Sequence, residues 1–310
     1  MEQRSWINID LKSFSENINE LKRFLLPEQG FLQVVKADAY GHGAVQIAKI
    51  AIEHGAVMLG VANVEEGIYL RYRGIDAPIL ILSPSLHTEI KSIIDYDLIP
   101  CVSDLSFCHE LNQQAKDKQT TVSVHVKINT GMNRNGLKEN ELSDFFNNFY
   151  LFEQLKITGL FSHFAASDDD ESFSLEQETN FIKIINLFKE SKYNTINNYL
   201  KYIHISNSCG LITHNNPVMN LVRFGIMSYG YYLNNDFKAV LKLTPVMSFK
   251  SKISHINYAK KGETIGYNRT YRAEADIKYA IIPVGYADGY DFLLSNKAYV
   301  MVKNQLSPIL

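Results

Sequence analysis

Phe31-Leu32-Gln33-Val34-Val35-Lys36-Ala37-Asp38-Ala39-Tyr40-Gly41-His42-Gly43 is an apolar run that stops on a lysine and passes into a loop with two glycines. The run predicts a buried strand over 31–36, and the apolar spacing after it predicts a helix over 45–54. A lysine at the carboxyl end of such a strand has a desolvated amine, which lowers its pKa and frees the lone pair for attack on an aldehyde, as in a Schiff-base enzyme. Taken alone, Lys36 reads more simply as a lysine that snorkels at a strand exit.

Repetition of this unit changes that reading. Short Val/Ile/Leu-rich runs recur at 57–62, 79–82, 98–102, 122–128, 157–163, 202–206 and 221–225, with helical patterns at 65–73, 87–94, 105–115, 141–152 and 175–190. A further helix opens at Asp10-Leu11, where Asp10 is placed to cap free amides, and stops at Pro27. Eight strands with helices between them have the rhythm of a (β/α)8 TIM barrel. An open doubly wound sheet is the structural rival, but it concentrates chemistry at one switch point. Here nearly every strand ends on a group able to bind or react: Lys36, Asn63, Ser83, Ser103, Lys127, His163, Ser206 and, within the last strand, Arg223. Barrel enzymes distribute their chemistry in this way.

From about Tyr231 helical periodicity gives way to strands and turns, with one alternating run over 246–258 and further strands over 280–284 and 298–302. The expected organisation is α/β: a barrel over 8–232, then a smaller all-β domain over 233–310, with residues 1–7 able to pair with it. Ser307-Pro308-Ile309-Leu310 reads as the start of a strand, so the β domain is expected to be incomplete and the chain truncated at its carboxyl end.

Composition narrows the partners. Net charge is -2, with 46% hydrophobic and 21% charged residues, which offers no basic field for nucleic acid or an anionic membrane. Cys101, Cys108 and Cys209 show no paired spacing, so neither a disulfide framework nor a zinc site is suggested, and no metal is expected. The amino terminus lacks an apolar signal core, and no segment has the uninterrupted apolar length of a membrane helix, so a cytoplasmic protein is expected.

Several strand exits carry specific chemistry. In strand five, Ser123, His125 and Lys127 alternate with valines, which would bury Lys127, and a glycine turn then presents Arg134, whose planar fork suits a carboxylate or phenolate oxygen. Strand seven leads into Ser206-Asn207-Ser208-Cys209-Gly210, able to start a helical turn with amides and hydroxyls facing an anion. Strand eight leads into Gly225-Ile226, where a missing side chain lets backbone approach a ligand. Barrels commonly hold a phosphate between the loops after strands seven and eight. With an amine at strand one, these loops suggest a phosphorylated aldehyde, pyridoxal 5′-phosphate (PLP).

The segments Val34 to Gly43, Asn129-Thr130-Gly131-Met132-Asn133-Arg134, Ser162-His163-Phe164-Ala165, Asn207-Ser208, Val222-Arg223-Phe224-Gly225-Ile226, Gly266-Tyr267 and Pro283-Val284-Gly285-Tyr286-Ala287-Asp288-Gly289 resemble alanine racemase in order and spacing, over essentially the whole chain. The resemblance implies an isomerase that interconverts L- and D-alanine by two bases, supplies D-alanine for peptidoglycan, and works as a homodimer with active sites completed across subunits. It implies that Lys36 binds PLP and is the base on the D side, and that Tyr267, from the other subunit, is the base on the L side. Tyr40, Ser208, Gly225 and Ile226 match phosphate-binding positions, and Arg223, with His163 behind it, matches the group facing the pyridine nitrogen. Arg134 and Tyr286 match substrate-side positions, Tyr286 at the site entrance. Lys127 matches a lysine that relatives often carry as a carbamate, which would turn a repulsive pair with Arg134 into an attractive one. The chain departs from the family in having Asn129 and Asn133 where aspartate and glycine are usual. A racemase of different or broader specificity, such as serine, an inactive truncated PLP-binding homologue, a decarboxylase of the same barrel group and a PLP carrier are the alternative expectations.

Overall fold

All eight expected barrel strands form, and they lie in one parallel sheet. The computed structural model describes residues 3–310, in two compact units: Asp10–Val246, and the stretch before Asp10 together with Met247–Leu310. In chain order the first unit contains α1 (Leu11–Lys22), β2 (Gly30–Val34), α2 (Ala44–Glu53), β3 (Ala56–Val61), α3 (Val64–Tyr72), β4 (Ile79–Pro84), α4 (Ile90–Asp95), β5 (Ile99–Val102), α5 (Leu105–Asp117), β6 (Val122–Lys127), α6 (Glu139–Phe149), β7 (Leu155–Phe161), α7 (Glu171–Glu190), α8 (Lys192–Ile196), β8 (Tyr202–His204), α9 (Ser208–Thr213) and β9 (Leu221–Phe224), while β1 (Ser5–Ile9) belongs to the second.

The sheet runs in the order β8-β7-β6-β5-β4-β3-β2-β9. Its two ends meet through backbone hydrogen bonds, Asn220 N–H to Ile203 O at 3.1 Å and Arg223 N–H to Ser206 O at 3.0 Å. The sheet is thereby closed, as the scattered polar exits required, and the open-sheet alternative falls. Leu32, Val34, Met58, Leu80 and Leu221 pack as one buried cluster. Around it the helices bury one face each; α1, for example, buries Phe14, Ile18 and Leu21, and starts where the Asp10 carboxylate accepts from Lys12 and Ser13 N–H. On β7, a Cβ at Gly159 would lie 2.5 Å from the His125 ring, so only glycine lets that ring occupy the barrel interior.

Segment 233–246 stays with the barrel unit, since Phe237, Leu241, Leu243 and Val246 are buried and the Tyr232 hydroxyl accepts from Leu243 N–H. The second unit is all-β. The run 246–258, expected as one strand, is two: β10 (Met247–Ser251) pairs antiparallel with β1, and β11 (His255–Ala259) pairs with β14 (Ile277–Ile281). One straight strand cannot serve both partners, and at the break Lys252 N–H goes to Arg4 O while Ser254 N–H goes to Ile281 O. The strand expected over 280–284 ends earlier, at Ile281, because Pro283 has no N–H and Val284 N–H turns back to Ile282 O. Between them β12 (Thr264–Ile265) pairs with β13 (Tyr271–Arg272). β15 (Tyr299–Val302) and β16 (Gln305–Pro308) form a hairpin whose turn residues Lys303 and Asn304 both have positive φ. Among the described residues no helix is long and apolar enough to cross a membrane, and the three cysteines are free and buried.

Candidate active site

β2 ends at Val34, two residues before the expected stop, because the chain then winds the wrong way. Ala37, Asp38, Ala39 and Tyr40 have φ of 52, 50, 54 and 54°, a left-handed turn within Lys36–Gly41. Left-handed geometry costs about 1–2 kcal/mol per non-glycine residue, so it persists only where contacts hold it. The Asp38 carboxylate accepts from Ala44 N–H at 2.7 Å, His42 Nδ1 donates to Ala39 O at 3.0 Å, and the Glu66 carboxylate of α3 accepts from Ala37 N–H at 2.7 Å. The local sequence signals this turn weakly, through Asp38 alone, since alanine and tyrosine do not favour it.

The turn carries both Lys36 and Tyr40 into the carboxyl-end mouth of the barrel. The Lys36 amine, half-buried, stands 6.0 Å from the Tyr40 ring centre. Burial first, then Arg134 and Arg223, draws its pKa below the usual lysine range, while Glu66 opposes them. Tyr40 packs edge-on against Tyr229, whose hydroxyl is anchored on Val34 O at 2.7 Å. Burial, then Glu66, raises the Tyr40 phenol, which therefore stays a hydrogen-bond donor.

Across the mouth, α9 starts at Ser208 with Asn207 as its cap, and Ser208 Oγ accepts from Gly225 N–H at 2.9 Å. Because that lone pair is taken from the protein side, the Ser208 proton is free to point elsewhere. A Cβ built on Gly225 would meet only Ser208 Oγ and Tyr40 OH, each at 3.9 Å. The space left by the missing side chain is thus rimmed by two hydroxyl donors, with Ile226 opening the turn Ile226–Tyr229 beside it. That chemistry suits a phosphate.

Arg223, on β9, is almost fully buried and organises the floor. One of its terminal nitrogens donates to His204 Nδ1 at 2.8 Å; the other reaches His163 Nδ1 at 2.7 Å, Ser162 O at 2.9 Å and Ile205 O at 2.8 Å. Burial, then Arg134, pulls its pKa down to about 9, so it is still a cation at neutral pH. Since a guanidinium only donates, His204 Nδ1 must accept, its Nε2–H donates to His125 Nδ1 at 3.1 Å, and the His125 proton is left on Nε2. One arginine thereby sets the tautomer of three neutral histidines.

Burial, then Arg223, pushes His125 down to about 3, and the same causes, in the same order, drop His163 and His204 well below their ordinary 6.5. The unfolded chain therefore binds these protons first as pH falls below 6.5. Stability present above that pH is lost toward pH 3, where His125 begins to charge inside the fold. Together the three should contribute a slope of about 4 kcal/mol per pH unit in the steep part of the window, measurable by urea unfolding of cofactor-free protein at about pH 6 and about pH 5. A profile flat across that window would mean the rings are not held neutral.

Lys127, at the end of β6, is buried with its amine 4.3 Å from the Phe161 ring centre. Burial, then Arg223, brings it down to about 7. Arg134 follows on an exposed loop clasped by two asparagines: Asn129 Oδ1 accepts from Gly131 and Asn133 N–H at 3.1 and 3.0 Å, and Asn129 Nδ2 donates to Asn133 Oδ1 at 3.0 Å. Asn133 has φ 56°, a conformation asparagine tolerates better than most residues, so the two asparagines support each other.

Lys36, Lys127, Arg134 and Arg223 thus concentrate positive charge at one barrel mouth, and the carboxylate that acts on Lys36 is Glu66. An anion with a phosphate, a phenolic oxygen and a reactive aldehyde fits this donor set, which supplies a nucleophilic amine, two hydroxyls and a surplus of cations. Tyr267 and Tyr286 belong to the other unit, on turns Tyr267–Arg269 and Tyr286–Asp288, with 80% and 71% of their surfaces exposed. Among the described residues no group of three or more histidine, cysteine or carboxylate side chains could hold a metal. Sequence reasoning missed Glu66, His204 and the role of His125. The spacing Asn63-x-x-Glu66 at a helix start was the available signal for Glu66.

A family model described as alanine racemase, N-terminal domain, matches residues 9–233, and one described as alanine racemase, C-terminal domain, matches residues 246–310. The alanine racemase of Halothermothrix orenii strain H 168 is 35% identical over 306 residues, covering 98% of this chain and 79% of that protein. The solved alanine racemase of Clostridium difficile 630 superposes with a TM-score of 0.90 at 32% identity, covering 99% of this chain and 79% of the other. The alanine racemase of Bartonella henselae, solved with covalently bound pyridoxal phosphate, superposes with a TM-score of 0.86 at 25% identity, covering 99% and 82%.

Proposed function

This chain belongs to the alanine racemase family, and from that premise we propose that it interconverts L- and D-alanine with pyridoxal 5′-phosphate, using Lys36 and Tyr267 as its two bases. The observation that carries this reading is the placement of the Lys36 amine and the Ser208/Tyr40/Gly225 cradle on the same barrel mouth, with Arg223 behind them.

When bound, the cofactor withdraws electrons from the Cα–H bond of the amino acid. The protein's own groups do the rest. Ser208 and Tyr40 would hold its phosphate through their hydroxyls, with Gly225 and Ile226 leaving room for it. Arg223, held by His163 and His204, would face the cofactor's ring nitrogen; because a guanidinium does not readily give up its proton, it would leave that nitrogen unprotonated, which would limit charge delocalisation and disfavour transamination. Lys36, whose amine burial and Arg134 draw below the usual lysine range, would hold or release a proton on one face of Cα. Tyr267 acts on the opposite face, Arg134 receives the substrate carboxylate, and Tyr286 lines the entrance. Lys127, brought down to about 7, has enough free amine at neutral pH to react with carbon dioxide, and the resulting carbamate would offset Arg134 and Arg223.

We propose further that two copies assemble, each site taking the partner subunit's Tyr267, and that the product is D-alanine for peptidoglycan made in the cytoplasm. Support for the shared site comes from Tyr267 itself, a large side chain left 80% exposed on its own chain. Tyr267→Phe is expected to lose racemisation by about 10²–10⁴-fold, the usual value of a positioned base. It should still exchange the Cα hydrogen of D-alanine in deuterated water, because Lys36 is intact. Loss of exchange from both enantiomers alike would sink the assignment of faces. Mixing Tyr267→Phe with Lys36→Ala tests the shared site: random redimerisation restores about one quarter of native activity if sites are shared across a twofold axis, and none if each chain is self-sufficient.

A further inference from the structure

Glu66 joins three things that are far apart in sequence. It lies in the first turn of α3, where its own N–H is capped by Asn63 Oδ1 at 3.0 Å. Its carboxylate accepts from Ala62 N–H, at the exit of β3, with one oxygen at 2.7 Å, and from Ala37 N–H with the other, also at 2.7 Å. Both bonds are short, as expected for an ionised acceptor. Ala37 is the first residue of the left-handed turn, directly after Lys36 and three residues before Tyr40.

We infer that Glu66 is a positioning residue that clamps the left-handed turn to the neighbouring strand, so that a single carboxylate fixes the spacing between the amine of Lys36 and the hydroxyl of Tyr40. The inference rests on the reading of those two groups as the attachments for the cofactor's aldehyde and phosphate. Its physical basis is that a non-glycine left-handed turn does not hold itself. Without the clamp the chain after Val35 relaxes toward right-handed or extended geometry, and Lys36 and Tyr40 can no longer reach one rigid ligand together. Glu66 has a second effect through its charge. The charged groups acting on Lys36 are Arg134 from the loop after β6, Arg223 from β9 and Glu66 from α3, and His163 faces the same cluster after β7. Glu66 alone favours the protonated amine.

Glu66→Gln and Glu66→Asp separate reach from charge. Glutamine keeps the length, but it has one acceptor atom and no charge. Aspartate keeps the charge and is one methylene too short to hold both amides. In cofactor-free protein, hydrogen exchange at Ala37 should accelerate about tenfold or more in both variants while Val124 and Val126 in β6 keep their protection. Trace acetylation of Lys36 across pH, read by peptide mass spectrometry, should shift to a lower midpoint in Glu66→Gln and stay near wild type in Glu66→Asp. The PLP dissociation constant should rise by about 10- to 100-fold in both, the size expected for one lost charge-assisted hydrogen bond. Adding Ala37→Gly, which adopts the turn without strain, should recover part of that affinity in Glu66→Gln.

Unchanged PLP affinity and an unchanged Lys36 profile in Glu66→Gln, with only a lower unfolding temperature, would reduce Glu66 to a helix cap and overturn the inference. If Glu66→Gln does not fold, Glu66→Asp decides on the Ala37 exchange and the affinity alone. Because exchange and acetylation are read without cofactor, they stand or fall separately from the assignment of the reaction.

Discussion

Lys36→Ala is expected to abolish racemisation, by more than about 10⁴-fold, because under the proposed mechanism it removes both the covalent attachment and a base whose own value is about 10²–10⁴. The structure sharpens this expectation by offering a competitor. Lys127 is a second amine at the same mouth, and burial, then Arg223, holds it at about 7, so it too is available as a free amine at neutral pH. Geometry does. Lys127 is buried over the Phe161 ring, whereas Lys36 is half-buried on the turn that also carries Tyr40. Borohydride reduction of the wild-type holoenzyme followed by peptide mapping should place the label on Lys36. In Lys36→Ala no label should form, and PLP should dissociate on dialysis. A label on Lys127 in either protein would remove the basis of the mechanism.

Arg223→Glu should have the next largest effect, and on two observables. The substitution puts a carboxylate where Ser162 O, His204 O and Ile205 O now receive N–H donors, so buried acceptors would face an acceptor. Stability is expected to fall by about 3–5 kcal/mol, the range for breaking a buried charged network, unless His204 and His163 switch tautomer and donate to the new carboxylate. In the cofactor-loaded variant the pyridine nitrogen would gain an acidic partner and a proton, which spreads the developing charge into the ring. Racemisation should drop and pyruvate formation from alanine should rise, read by coupling pyruvate to a dehydrogenase. A variant that still racemises and makes no more pyruvate than wild type would defeat the role given to Arg223. The same residue weighs against a decarboxylase of this barrel group, which is expected to present an acid at this position.

Much of the barrel was legible because its signal is local. Val122 to Lys127 alternates and is a strand with His125 and Lys127 buried on one row, as the alternation required. Ser208 begins a helical turn capped by Asn207, which a serine- and asparagine-rich strand exit encodes by itself. The β unit was less legible. Residues 246–258 alternate throughout, yet the chain changes partner from β1 to β14 at residues 252–254, and period two carries no information about which strand lies alongside. The hairpin turn at Lys303-Asn304 escaped for a related reason: it lacks the glycine that usually marks positive φ.

By itself, the order of residues determined that eight apolar runs would be strands, that their exits would carry an amine, two hydroxyl-bearing loops and an arginine, and that this arginine could only donate. These follow from side-chain chemistry and from periods of two and 3.6, which need no distant partner. Tertiary structure completed the left-handed turn after Val35, because its conformation is uphill for the two alanines and the tyrosine in it and, beside the local bonds of Asp38 and His42, is held by Glu66, which lies 29 positions away from Ala37. It alone decided the protons on His125, His163 and His204, because a ring's tautomer depends on which groups the fold brings to its two nitrogens, and β6, β7, β8 and β9 become neighbours around Arg223 only when the sheet closes.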